Sequence, residues 1–129
     1  MSSSIDLDQT APTILVVEDE FLIRFMVSDA LRDAGFAVIE ACDADEALEI
    51  AYSGVPLELI FSDVRMPGSL DGLGLLAQVQ DLRPAVPVVI TSGHLLPDEA
   101  LSKGAAKFLG KPYTLDEAVD LIKSELGSS

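Results

Sequence analysis

The apolar residues of this chain form short continuous runs, separated by longer segments in which apolar residues recur at helical spacing. The runs are rich in β-branched side chains, which is typical of strands covered on both faces of a sheet. They are Thr13–Val17, Phe36–Ile39, Leu57–Phe61, Val86–Ile90 and the weaker Ala105–Leu109. The pattern therefore predicts five buried strands.

Helices are predicted between these runs. The first has an apolar stripe at three- and four-residue spacing and ends at Gly35. The stripe consists of Ile23, Met26, Val27, Ala30, Leu31 and Ala34. Capping signals or apolar spacing predict further helices that begin at Asp43, about Asp71 and Thr114, and the first and last of these have a glutamate three residues later, as in a capping box. The segment Pro97–Lys103 allows only a short helix, which we expect to be frayed.

Strict alternation of strand and helix predicts an α/β fold with a doubly wound, five-stranded parallel sheet of the flavodoxin-like type. A chain of 129 residues suffices for one such domain and leaves no room for a second. We expect residues 1–12 to form a disordered tail and residues 13–127 to form the domain.

The chain is strongly acidic, with 22 Asp and Glu residues against 8 Lys and Arg residues and a net charge of −14. Such a charge repels phosphate backbones and anionic lipid surfaces, so we expect no nucleic-acid or membrane partner. No apolar run reaches the roughly 18 residues of a membrane span, and the first residues lack signal-peptide features, which favours a cytoplasmic protein. The single cysteine, Cys42, adjoins an apolar run, and we expect it to be buried or half-buried.

The carboxyl ends of parallel strands meet at one edge of a sheet, where ligands of such folds bind. At those ends the chain carries Glu18, Asp19, Asp63, Thr91 and Lys111. Two carboxylates about 4 Å apart repel by about 4 kcal/mol at an effective dielectric near 20, so three cannot stay ionised together without a cation. Hard oxygen ligands of this kind suit Mg²⁺, and Asp63, alone on its strand, is the candidate nucleophile for a phosphoryl group.

Simpler interpretations exist for the same residues. Glu18 and Asp19 could merely complement a helix N-terminus. Asp63 could be an exposed turn residue, and Lys111 an ordinary surface lysine. His94, the single histidine, is expected in an exposed, glycine-flanked loop.

The residues at the strand ends belong to longer motifs. In chain order these are Ile14-Leu-Val-Val-Glu-Asp-Glu20, Ser62-Asp-Val-Arg-Met-Pro67, Asp71-Gly-Leu73, Thr91-Ser-Gly93 and Lys111-Pro-Tyr113. Over about residues 13 to 126 they resemble the receiver domain of bacterial response regulators, in particular single-domain, chemotaxis-receiver-like members of two-component systems. The set in this order is a specific signal, whereas each motif alone is weak.

The resemblance implies a signalling phosphoacceptor of a two-component system or phosphorelay rather than an enzyme. Asp63 would receive a phosphoryl group from a histidine kinase or histidine phosphotransfer protein, and the domain itself would promote both this transfer and later hydrolysis. The implied Mg²⁺ ligands are Asp19, Asp63 and the backbone carbonyl of Arg65. Glu18 would hold metal-bound water.

The resemblance also assigns the residues that respond to phosphorylation. Thr91 and Lys111 would contact the phosphoryl oxygens, and Phe108 would be the aromatic switch residue. The Lys111–Pro112 bond would be cis. The output would be altered binding of an unidentified downstream protein, with no DNA-binding output domain.

Two stretches depart from the family pattern. The loop Met66–Asp71 is one residue longer than usual, and the stretch from Thr91 to Lys111 is short for a full fourth helix. Signalling through that helix is therefore in question.

Three other functions share parts of this pattern. An aspartyl-phosphate phosphatase of the haloacid dehalogenase type has a second acid two residues after its nucleophile, where this chain has Arg65. A flavodoxin-type module needs a hydroxyl- and glycine-rich phosphate loop after the first strand, where Glu18 and Asp19 would repel phosphate. A receiver that binds partners without being phosphorylated would not need the complete acidic set.

Two aromatic residues lie off the apolar stripe of the first helix. Phe21 and Phe25 project about 150° or more from its centre at 100° per residue, so we expect both to be exposed. We predict that the kinase or phosphotransfer protein docks on them, with chance exposure of single apolar residues as the alternative. Leu121, beside the stripe of the last helix, suggests a homodimer face.

Overall fold

Five parallel strands form one sheet. The strands are β1 (Thr13–Val17), β2 (Ala37–Ala41), β3 (Leu59–Asp63), β4 (Val88–Ser92) and β5 (Lys107–Gly110). They follow the order β2-β1-β3-β4-β5 across the sheet, and every neighbouring pair is parallel. The computed structural model describes residues 11–66, 68, 70–95 and 97–127, so most of the predicted tail 1–12 lies outside the described residues.

The described part of the chain contains five helices, which alternate with the strands. They are α1 (Phe21–Asp33), α2 (Ala44–Tyr52), α3 (Gly72–Leu82), α4 (Pro97–Ser102) and α5 (Leu115–Glu125). The prediction of a doubly wound parallel α/β fold is confirmed, including the shortness of the fourth helix. None of these helices has the length and apolar character needed to cross a bilayer.

The predicted bounds of β1 are confirmed, whereas the other strands lie up to two residues further along the chain than predicted. Backbone pairing continues past the end of each apolar run, and Asp63 of β3 pairs with Thr91 of β4. Backbone hydrogen bonds do not require an apolar side chain, so an apolar run underestimates the carboxyl end of its strand. Asp63 and Thr91 therefore lie within strands rather than after them.

Each face of the sheet has its own hydrophobic core, because successive strand residues point to opposite faces. On one face Leu15 and Ile60 pack with Leu75 of α3. On the other, Ile14 and Leu59 pack with helices α1 and α5, through residues that include Leu31, Ala118 and Ile122. Leu121 is half-buried against this second cluster, and a dimer face at Leu121 stays a prediction.

Side chains cap α2, α3 and α5 at the positions where these helices were predicted to begin. Asp71 accepts a hydrogen bond from the backbone N–H of Gly74 at 2.9 Å at the start of α3. Thr114 and Glu117 form a complete capping box at the start of α5. These caps satisfy N–H groups that have no partner within the helix.

Cys42 is exposed, so the prediction that it is buried or half-buried was wrong. Strand β2 ends at Ala41, and the chain turns away from the sheet there. The Cys42 N–H donates to the Glu46 carboxylate at 2.7 Å, while Asp43 accepts from the Glu46 N–H at 2.8 Å. The Glu46 carboxylate thus accepts from the N–H of Cys42, whereas in a capping box it would accept from the N–H of Asp43. Asp43 does cap α2, but the complete capping box predicted there was wrong.

The buried arc of α1 runs through Val27, Ser28 and Leu31. Met26 lies outside it with 43% of its surface exposed, so its predicted place in the core was wrong. Because Ser28 is polar, apolar spacing alone does not identify it as part of the buried arc. Its hydroxyl is fully buried and has no hydrogen-bond partner among the described residues.

We expect Ser28→Ala to stabilise the protein by about 1 kcal/mol, because a buried hydroxyl without a partner loses its hydration and gains nothing. Chemical denaturation measures this directly. Ser124→Ala is the matched control, since it makes the same change at an exposed position of α5 and reports the contribution of helix propensity alone. A Ser28→Ala protein no more stable than wild type, relative to that control, would contradict the prediction.

Candidate functional site

The carboxyl ends of β1, β3, β4 and β5 bring the predicted polar residues to one edge of the sheet. Strands β1 and β3 are adjacent although they are not consecutive in the chain, so the direction of winding reverses between them. Such a reversal leaves a crevice at the carboxyl ends of the strands. A cavity of about 380 Å³ lies there, and Asp19, Asp63, Arg65, His94 and Lys111 are among the residues that line it.

Asp63 is the last residue of β3 and is buried. Its Oδ1 accepts a hydrogen bond from the Val64 N–H at 2.8 Å, and its Oδ2 lies 3.2 Å from Lys111 Nζ. Thr91, also buried, is the residue opposite Asp63 on β4. One carboxylate oxygen is thus held by the backbone, and the other faces a positive charge.

Glu18 and Asp19 follow β1 directly and differ in burial. Glu18 is buried, whereas Asp19 is exposed. The Glu18 carboxylate accepts from the Glu20 N–H at 3.1 Å and contacts Lys111 Nζ at 3.3 Å. Carboxylate oxygens of Glu18, Asp19 and Asp63 all lie within 4.8 Å of one another. The predicted cluster of three acids is therefore present in the structure.

The electrostatics of the site show an excess of negative charge. Burial raises the pKa of Glu18, and Asp63 raises it further, against the lowering effects of the Glu20 N–H and of Lys111. Burial by itself would lower the pKa of Lys111, but the neighbouring Asp63 and Glu18 outweigh it and the pKa of Lys111 lies above its usual value. Three carboxylates share one ammonium here, so the cluster keeps an excess of negative charge that a further cation would stabilise.

The donor set fits Mg²⁺. It offers carboxylate oxygens from separate residues at one point, which are the hard ligands that Mg²⁺ prefers, and the exposed Asp19 leaves one side open to water. Arg65, two residues after Asp63, lines the same cavity. Pro67 and Ser69, in the loop predicted to be longer than usual, lie outside the described residues.

The structure also describes the residues that the resemblance linked to switching. Phe108 is half-buried and packs against the first of the two cores. The Lys111–Pro112 peptide is cis, as the resemblance implied. His94 is exposed, as predicted, although it borders the cavity.

Tyr113 was not among the predicted site residues. Its ring packs edge-on against Phe61 with centroids 5.9 Å apart. Burial, followed by the charges of Glu18 and Asp63, raises the pKa of its hydroxyl, which therefore stays protonated. Its position in the motif Lys111-Pro-Tyr113 was the feature of the sequence that could have indicated a place near the site.

Gly72 belongs to the motif Asp71-Gly-Leu73, but no role was predicted for it. A methyl group there would overlap the backbone carbonyl of Asp63 and lie 2.8 Å from the Cα of Val64. The Gly72 N–H also donates to the Val64 carbonyl at 2.9 Å. Only a residue without a side chain allows α3 to start this close to the end of β3, so Gly72 contributes to the shape of the site.

The two aromatic residues of α1 are exposed, as predicted. Phe21 is 69% and Phe25 50% exposed, and their rings stack with centroids 6.3 Å apart. Leu22 and Met26 extend the patch, with 64% and 43% exposed. Its role as a docking surface stays a prediction.

Comparison with known proteins gives consistent matches. The profile of the response regulator receiver domain matches residues 14–123. The DNA-binding transcriptional regulator NtrC of Escherichia coli is 39% identical over 113 residues, which cover 85% of this chain and 24% of that protein. The crystal structure of the receiver domain of NtrX from Brucella abortus is 38% identical, with a TM-score of 0.81 and coverage of 90% of this chain and 99% of that chain.

A response regulator receiver protein from Sinorhizobium medicae superposes with a TM-score of 0.84 at 28% identity, covering 93% of this chain and 98% of that one. By contrast, the chain spans about a quarter of the length of the curated relatives it matches. The matches therefore concern the domain and not the whole of those proteins.

The raised pKa of Glu18 makes the stability of the metal-free protein depend on pH. The folded chain holds the Glu18 proton more tightly than the unfolded chain, so stability falls as pH rises above the ordinary value of 4.5 through the raised one. Glu18→Gln removes the ionisable group and with it this loss of stability. In EDTA, we expect it to melt at a higher temperature than wild type, by a margin that grows from about pH 5 to about pH 7.5.

Thermal unfolding followed by circular dichroism measures the margin. Glu49→Gln, at an exposed position of α2, controls for the loss of one negative charge from an acidic protein. If Glu18→Gln and wild type melt at the same temperature, or if the difference shrinks as the pH rises, ionisation of Glu18 does not destabilise the fold.

Proposed function

The chain belongs to the response regulator receiver domain family of two-component systems, and on that premise we propose that Asp63 accepts a phosphoryl group from a phosphohistidine of a partner protein. The observation that carries the proposal is the position of Asp63. Its carboxylate is buried at a strand end, lies among two other acids and contacts Lys111 at 3.2 Å. Glu18 and Lys111, whose pKa values are raised, converge with Asp63 in a crevice, which is typical of a reactive site.

The reaction is a transfer between two side chains. Asp63 Oδ2, the oxygen not held by the Val64 N–H, attacks phosphorus. A P–O bond forms, the P–N bond to the donor imidazole breaks, and its electron pair returns to the imidazole nitrogen. The product is an acyl phosphate on Asp63, which water later hydrolyses to aspartate and inorganic phosphate.

Charge neutralisation is the main catalytic requirement of phosphoryl transfer. Lys111 Nζ, already in contact with Asp63, would pass to the phosphoryl oxygens, and Thr91, opposite Asp63 on β4, would donate its hydroxyl. We assign Mg²⁺ to Asp19, Asp63 and the Arg65 carbonyl, with Glu18 acting through water. When bound, the ion supplies positive charge against the acids and the phosphoryl oxygens.

Phosphorylation would be sensed on the side of Asp63 that faces β4 and β5. The new dianionic group would draw Thr91 and Lys111 inward, and Phe108, two strands from Asp63 and half-buried, would repack beside them. The output would be a changed affinity for a downstream protein. Relatives of this domain include a protein named as a DNA-binding transcriptional regulator, but the charge of −14 makes direct contact of this domain with DNA unfavourable.

The exposed aromatic patch of α1 is our candidate for the docking site of the phosphohistidine protein. It consists of Phe21, Leu22, Phe25 and Met26. The patch begins two residues after Asp19, so a partner seated on it would present its histidine to the acidic crevice. Aromatic residues that stack on each other and stay exposed to solvent are typical anchors of interfaces.

Incubation with acetyl phosphate and Mg²⁺ tests the phosphoacceptor. We expect wild type to gain the mass of one phosphoryl group and Asp63→Asn to gain none, by mass spectrometry of the intact protein. Asp81→Asn, the same change at an exposed position of α3, should behave as wild type. Modification of Asp63→Asn, or none of wild type, would overturn the assignment, and steady turnover of external phosphate monoesters would favour the phosphatase alternative.

Phe25→Glu tests the docking site. We expect it to slow transfer from a phosphorylated histidine kinase by about tenfold or more, because a charge would replace an aromatic anchor, and to leave labelling by acetyl phosphate unchanged. The kinase is chosen by screening purified, autophosphorylated kinases for transfer to wild type. Tyr52→Glu makes a comparable change at a 65% exposed aromatic residue of α2 and should have no effect. Equal transfer rates for both variants would exclude this docking site.

A further inference from the structure

Arg24 of α1 joins three parts of the molecule through one guanidinium group. Its Nη1 donates to the backbone carbonyl of Glu18 at 2.7 Å, and its Nε donates to the Glu40 carboxylate of β2 at 3.3 Å. The same group lies 5.6 Å from the centroid of the Phe21 ring. Only 16% of the Arg24 side chain is exposed. Bonds from two donors, with an aromatic ring on one side, hold a planar guanidinium in one orientation.

The bond to Glu18 falls on the peptide that joins the two acids directly after β1. The Glu18 N–H is already held by the Ala41 carbonyl at 3.1 Å, so Arg24 fixes the other side of the same residue. Within the described ranges no protein group donates a hydrogen bond to the Asp19 carboxylate. The direction of Asp19 is thus set by its backbone, and that backbone is held by Arg24.

We infer that Arg24 is a positioning residue for the magnesium site, an inference that rests on the proposed function. It holds the Glu18–Asp19 peptide so that both carboxylates converge with Asp63. Without it the peptide could turn, and three carboxylates that repel one another would move apart. Neighbouring groups that orient metal ligands in this way commonly change metal affinity by about tenfold or more when removed.

Charge alone predicts the opposite result, which makes the inference testable. Removing a positive charge near the site would, by Coulomb attraction, let a divalent cation bind more tightly. Removing a group that positions the ligands would make it bind more weakly. The sign of the change in Mg²⁺ affinity therefore separates the two effects.

The chain offers a matched control. Arg32 contacts the other oxygen of the same Glu40 at 3.3 Å, but it donates its second bond to the Val38 carbonyl and not to Glu18. Arg32→Gln therefore removes the same charge and an ion pair with the same acid, while the bond from Arg24 to Glu18 remains.

The experiment is a calorimetric titration of wild type, Arg24→Gln and Arg32→Gln with MgCl₂ at fixed pH and ionic strength, with a thermal melt of each variant in EDTA. We expect Arg24→Gln to raise the Kd for Mg²⁺ about tenfold, and Arg32→Gln to leave it unchanged or slightly lower. The melt confirms that each variant is folded at the titration temperature.

Arg24→Lys provides a second test if Arg24→Gln does not fold. One ammonium cannot reproduce the fork that reaches Glu18 and Glu40 together, so we expect the Kd to rise. Lysine keeps the positive charge and one set of donors, so the rise should be smaller than for Arg24→Gln. A Kd for folded Arg24→Gln or Arg24→Lys that equals or falls below that of Arg32→Gln would overturn the inference. If the melting temperature drops while the Kd stays constant, Arg24 stabilises the fold and does not position the site.

These outcomes are distinguishable from failure of the proposed function. A wild-type protein that neither binds Mg²⁺ nor gains phosphate on Asp63 overturns both. A wild-type protein that does both, with Arg24→Gln matching Arg32→Gln, overturns only the role of Arg24.

Discussion

Mutual repulsion of three carboxylates is the constraint around which this domain is organised. Oxygens of Glu18, Asp19 and Asp63 lie within 4.8 Å of one another, and Lys111 bonds two of these acids. At such a separation each ionised pair costs about 3 kcal/mol at an effective dielectric near 20. One ammonium cannot balance three negative charges, and the pKa of Glu18 is raised by its burial and then by the charge of Asp63. The free energy held in this repulsion favours binding of a cation, and with it of a phosphoryl group.

The rest of the fold keeps the acids together against that repulsion. Hydrophobic cores on both faces of the sheet hold the strands in register, so the strand ends cannot separate without exposing apolar surface. Hydrogen bonds then fix individual groups, as the Val64 N–H does for Asp63 and the Glu20 N–H does for Glu18. Gly72 lets α3 begin against the backbone of Asp63. The site is thus preorganised by backbone and core rather than by flexible loops.

Arg24 connects this site to the surface that we propose for docking. Its guanidinium touches the Glu18 carbonyl on one side and the Phe21 ring on the other. A partner bound to the exposed aromatic residues would therefore lie next to the guanidinium that we propose orients the acids. The proposed docking surface and the acidic cluster are therefore neighbours at the start of α1.

Hydrophobic patterning was sufficient to predict the class of fold, the order of the elements and the two-sided core, because burial requires period 2 in strands and period 3.6 in helices. Parallel strands share a carboxyl edge, so the meeting of Glu18, Asp63 and Lys111 also followed from the pattern. Phe21 and Phe25 were correctly predicted to be exposed, since their angle from the stripe depends only on helix geometry.

The tertiary structure decided what depends on contacts between distant segments. Strand ends extended through Asp63 and Thr91 because a neighbouring strand supplied backbone partners. Met26 lay outside the core and Cys42 outside the sheet, since the rotation of α1 and the turn after β2 are set by packing and not by local spacing. The bond from Arg24 to Glu18 could not be read from the chain, because a hydrogen bond requires an atomic distance that residue order does not contain.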